Sequence, residues 1–132
     1  MSGQRFSFDD FHSLLRMEVG RGRRVKEVPY RFSLLYFQLH ETPEMVQDVA
    51  KEMLRQSDAV FHRKEHFFLI LPETDKEGAL HIPRLLEEYF KRPVFDSAVT
   101  FPEDGDTEED LVATLADQAR SVHGVALETV LR

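Results

Sequence analysis

An α/β fold with a mixed or antiparallel sheet is predicted by three observations. Apolar residues alternate between helical spacing and continuous β-rich runs. Turn and capping residues separate these runs. Their order is helix, then strand, helix, strand, strand, helix, strand, and then a final helix.

The first helix is opened by Ser7, with Phe8, Phe11, Leu14, Leu15 and Val19 at helical spacing. Gly20 and Gly22 are expected to end it. "YRFSLLYFQLH", Tyr30 to His40, is a strand whose unbroken "LLYF" centre predicts burial on both faces. Thr42-Pro43-Glu44 combines a capping side chain, a first-turn proline and an early acid. Val46, Val49, Ala50, Met53 and Leu54 continue from it as one stripe.

"SDAVFHRKEHFFLIL" reads as two short strands about a tight turn, with His62 to Glu65 exposed at its tip. Thr74 and Glu77 form an expected capping box for "GALHIPRLLEEYF", which Pro83 should kink or split. "PVFDSAVTF" is a strand, "PEDGD" a turn, Thr107 to Val122 a helix, and Val125 to Leu131 a weak last strand. Without the leading helix the order is β-α-β-β-α-β plus a helix, a ferredoxin-like core with extra N-terminal and C-terminal helices. We expect one domain over 1–132, with leading helix and linker over 1–29 and the core over 30–132.

Composition narrows the function classes. The chain has 132 residues, 42% hydrophobic and 31% charged, with eleven Phe and no Trp. The absence of Cys excludes disulfides, zinc-thiolate sites and a cysteine nucleophile. The net charge of −7 argues against a nucleic-acid partner. The basic run Arg21 to Lys26 reads either as a patch for a nucleotide or acidic partner or as a helix end leading into a linker. No apolar run is long enough for a membrane span. "MSGQRFSFDD" lacks the apolar region of a signal peptide, so the expected location is the cytoplasm.

"LPETDKEGAL", followed at matching distance by "VTFPEDGDTEEDLVATLADQA", resembles the GGDEF family of diguanylate cyclases. "FHSLLRMEVGRGRR…RFSLLYFQL" is similar to that family's leading helix and first strand. The resemblance implies a domain that joins two GTP into cyclic di-GMP, with glycines in the hairpin turn and acids holding divalent cations. Counting back from "FLILPETD" puts the signature tetrad on Arg63, Lys64, Glu65 and His66. Long cations replace both glycines, so no Cβ-free backbone is left to approach a phosphate. Gln38 and His40 fall on the acidic positions near the first strand's end, and neither is negatively charged. The family's base-binding insertion is missing between His40 and Pro43. These departures imply a degenerate module with no catalytic residues, metal or cofactor, and residual cyclase activity as the least expected reading.

The resemblance also implies a ligand site. "RQSD", Arg55 to Asp58, sits where the family carries an Arg-x-x-Asp product site, with four residues rather than five before the tetrad. An Arg fork can donate to guanine O6 and N7, and a carboxylate can accept from its N1 and N2 hydrogens. Two readings stand: Arg55 and Asp58 hold cyclic di-GMP, or Arg55 caps helix carbonyls and Asp58 starts a strand. The corresponding partners are cyclic di-GMP, another protein, or a second copy in a homodimer. His62 and His66 have i,i+4 spacing but flank a turn, and the acids from Glu103 to Asp110 lack a full calcium-loop pattern.

Overall fold

The structure is a computed structural model that describes residues 4–24 and 30–131. Its elements are β1 (Gln4–Arg5), α1 (Phe11–Arg24), β2 (Phe32–Gln38), α2 (Pro43–Ala50) and β3 (Ala59–Arg63). They continue with β4 (His66–Pro72), α3 (Lys76–Phe90), β5 (Phe95–Phe101), α4 (Glu108–His123) and α5 (Leu127–Val130). The sheet order is β1-β3-β4-β2-β5. β2 through β5 pair antiparallel, and β1 adds parallel to β3, so the sheet is mixed. The ferredoxin-like α/β expectation holds, with additional helices at both ends of the core.

β2 is the axis of the fold. It pairs with β4 from Phe32↔Pro72 to Gln38↔His66, and with β5 from Phe32↔Phe101 to Gln38↔Phe95. Side chains alternate across a strand, so the "LLYF" run divides between two cores. Phe32, Leu34 and Tyr36 pack with α1 and α4 through Phe11, Leu15, Leu111 and Leu115. Leu35, Phe37 and Leu39 pack with α2 and α3 through Val46, Ala50, Ile82 and Leu86.

Several local expectations are corrected. Ser7 caps a 3-10 turn, Phe8–Asp10, and α1 follows it. Neither Gly20 nor Gly22 ends α1, which runs to Arg24. Gly22 instead lets the helix lie close to the sheet: a Cβ there would be 2.6 Å from the Phe101 ring. Arg21 to Arg24 are thus the last turn of α1, and the rest of the basic run lies outside the described residues.

Thr42 caps α2 as expected, but that helix stops at Ala50 and Leu54 is buried from the turn beyond it. Asp75, not Thr74, caps α3 and accepts the Gly78 N–H at 2.8 Å. Pro83 does not split α3. It is buried beside Ile82, and burial of Ala79, Ile82 and Leu86 on the sheet outweighs one missing backbone donor. Val125 to Leu131 is no strand. Gly124 stops α4 in the left-handed conformation, and Leu127 and Leu131, four apart, turn together into the α1–α4 core.

The free edge of β5 is closed by side chains. His123 Nε2 lies 2.9 Å from the Asp96 carbonyl, and Asp104 accepts the Thr100 N–H at 2.8 Å while pairing with Lys76. These contacts blunt an edge that could otherwise pair with another strand, and they give Asp104 of the acidic loop a structural role. No helix among the described residues is long and apolar enough to cross a membrane.

The two glycines of α1 should respond oppositely. Gly20→Ala should raise the unfolding free energy by about 0.5–1 kcal/mol, since its Cβ would meet only the tip of Arg24. Gly22→Val should lower it by about 1–3 kcal/mol through overpacking against Phe101. Urea unfolding of the two variants checks both signs.

Candidate functional site

The β3–β4 hairpin closes at the pair Arg63↔His66, leaving Lys64 and Glu65 as its two-residue turn. Lys64 is exposed and adopts φ +56°, a left-handed conformation that glycine enters without strain. The other tip residues are half-buried rather than exposed. Arg63 donates to the Val130 carbonyl at 2.7 Å, and its guanidinium lies 4.2 Å from the Phe8 ring centre. Stacking on an aromatic face and binding a helix-end carbonyl explain how a long cation fits there.

Beside the turn, the end of β2 brings Gln38 opposite His66. The Gln38 amide lies 3.4 Å from the Glu65 carboxylate, and the His66 ring 3.6 Å from it. Tyr36 and His66 Nδ1 are 2.8 Å apart. Burial, more than the neighbouring Glu65 charge, pushes the Tyr36 hydroxyl well above its ordinary range, so it keeps its proton while it shares a hydrogen bond with Nδ1. Burial also pushes the His66 pKa down; Glu65 opposes this, whereas His40 and Lys64 reinforce it. Tyr36 has no distinguishing sequence signal, because only the register places it beside His66.

His40, Glu41, Thr42, Pro43, His62, Lys64 and Glu65 border an open depression of about 530 Å³, where Glu41 is paired with Arg92 at 3.3 Å. His62 Nε2 contacts Arg5 at 2.7 Å, whereas its buried Nδ1 has no partner. Burial, then the Arg5 charge, lowers the His62 pKa. Residues 39–42 alone connect β2 to α2, so no base-binding segment overhangs this depression.

This donor set does not suit a divalent cation held against a triphosphate. Hard cations take oxygen ligands, chiefly carboxylates. Of the tetrad, Gln38 and His40, Glu65 alone supplies a carboxylate. Among the described residues no three His, Cys, Asp or Glu side chains are grouped to hold a metal ion.

Arg55 and Asp58 do come together, in the turn between α2 and β3. Asp58 is 4% exposed; it accepts the Arg55 backbone N–H at 2.8 Å and lies 3.4 Å from the Arg55 guanidinium. Arg55 also donates to the Pro72 carbonyl and to Thr74 Oγ1, tying this turn to the end of β4. Gln56, Ser57 and Asp58 line a cleft of about 260 Å³ whose apolar walls include Leu14 and Met17 of α1.

Several solved structures have the same fold. The GGDEF domain of YfiN (TpbB) from Pseudomonas aeruginosa superposes with TM-score 0.65 at 16% identity, over 91% of this chain and 93% of that one. A DGC protein from Thermotoga maritima gives TM-score 0.64 at 19% identity, over 88% and 95%. A sensory box/GGDEF family protein from Caulobacter crescentus gives 0.51 at 15%, over 89% and 92%. The fold is therefore GGDEF-like. No protein-family model and no curated protein sequence matches the chain.

Arg55→Ala should lower stability by about 1–2 kcal/mol, because it frees the Pro72 carbonyl and unties Asp58. Burial holds the Asp58 carboxyl above the ordinary value of 3.8, against the lowering effect of Arg55. A raised folded pKa contributes stability that is full below 3.8 and lost as pH rises through the folded value. Asp58→Asn should therefore gain in unfolding free energy, relative to wild type, as pH rises across that window. Urea titrations at a series of pH values measure the difference.

Proposed function

We propose that this chain is a catalytically silent GGDEF-like module of bacterial cytoplasmic signalling, one that acts by binding rather than by making cyclic di-GMP. The hairpin carries this reading. Lys64 occupies a glycine conformation, Arg63 is committed to Phe8 and Val130, and of the carboxylates on the depression Glu41 is paired with Arg92, which leaves Glu65 where metal-dependent chemistry needs several. Phosphoryl-type transfer draws its rate from metal charge and positioning, so losing both removes many orders of magnitude.

The test is incubation with GTP and magnesium or manganese, followed by chromatography. No cyclic di-GMP is expected, and protein-dependent product above background would overturn the reading. Lys64→Gly should be equally silent. It should also be as stable as wild type or up to about 1 kcal/mol more so, since relieving left-handed strain offsets glycine's entropy.

A second reading makes the module a cyclic di-GMP receptor through Arg55 and Asp58. It is favoured by the cleft that Asp58 lines and by the half-exposed Arg55 guanidinium beside Asp58. A guanine would need the Arg55 fork to turn from Pro72 and Thr74. Titration calorimetry should then show binding in wild type and a loss of about ten- to a hundredfold in Arg55→Lys, which keeps the cation without the fork. No heat at high ligand concentration leaves protein binding as the module's role.

A further inference from the structure

The face of the molecule opposite α2 and α3 carries a second feature. A groove of about 390 Å³ runs along α4, between the start of α1 and the C-terminal turn. Val112, Ala113, Ala116 and Leu131 supply its apolar lining. Its border is acidic. Glu108 is already bonded to His12 at 2.5 Å and faces Arg16 at 3.6 Å, while Glu128 is paired with Arg120. Glu109 and Asp117 have no cationic partner among the described residues. They stand eight residues apart on α4, about 12 Å along its axis, with the apolar lining between them.

We propose that this groove docks a cationic amphipathic helix of a partner protein. A helix laid along α4 can place one large apolar side chain over Ala113 and Ala116. Lysines or arginines four residues to either side then fall opposite Glu109 and Asp117, because both helices share the same rise. The chain's net charge of −7 favours encounter with such a segment and disfavours an acidic one. This groove shares no lining residue with the hairpin depression or the Asp58 cleft, and the proposal stands whether or not the chain binds a nucleotide.

The test uses the full chain and two designed helical peptides with the same leucine stripe, one flanked by lysines and one by glutamates. Fluorescence anisotropy should show that the lysine peptide binds and the glutamate peptide does not. Glu109→Lys/Asp117→Lys, and separately Ala113→Trp, should each weaken binding about tenfold. Glu52→Lys/Glu88→Lys makes the same change in net charge with exposed residues outside the groove. It should leave affinity within about twofold. Thermal midpoints by circular dichroism confirm that all variants are folded. The proposal is overturned if the lysine peptide fails to bind, or if the Glu52/Glu88 pair weakens it as much as the groove pair. It is also overturned if sedimentation shows self-association that the groove variants abolish, which would make a second copy the occupant.

Discussion

Burial of β2 on both faces sets the positions of the strands and helices around it. Its seven residues pair with a strand on each side, and its side chains feed two separate cores. A one-residue slip would exchange Phe32, Leu34 and Tyr36 with Leu35 and Phe37. It would also swap polar Ser33, which hydrogen-bonds Thr100 Oγ1 at 2.8 Å and the Thr74 carbonyl at 2.7 Å, into the aromatic core beneath α1. Register is therefore strongly specified, and with it the position of everything at the strand's end.

That register also fixes the chemistry of the hairpin. Gln38 falls opposite His66, so the two meet Glu65 at one corner of the sheet. The corner contains an amide, an imidazole, a phenol and one carboxylate, linked mainly to each other. Such a set satisfies its own hydrogen bonds and organises the turn; it concentrates little negative charge for a cation. The same economy holds at Arg55 and Asp58. A pair of residue types suited to guanine is here the clasp between a turn and the end of β4, and burial of the carboxyl makes that clasp costly to open.

The C-terminal turn touches both the hairpin and the α4 groove. Because Leu127 and Leu131 fold back onto the α1–α4 core, the Val130 carbonyl meets Arg63 and Leu131 borders the acidic groove. A last strand, as the β-branched residues of that segment suggest, would have provided neither contact. Tertiary packing of two leucines overrode local propensity.

The order of elements from α1 to α4, the central buried strand, the Thr42 cap and the residues of the hairpin were legible in the sequence. These follow from periodicity and capping, which act within a few residues. The remaining features depend on contacts between residues distant in the chain. Gly20 and Gly22 looked like stop signals, yet Gly22 is where α1 approaches Phe101. β1 is two residues long and carries no pattern; it exists because the edge of β3 offers it partners. Pro83 is tolerated because the sheet holds the helix on both sides of it. Arg55 and Asp58 were legible as a motif, but the Pro72 carbonyl that binds Arg55 lies seventeen residues away, and only the closed sheet brings it there.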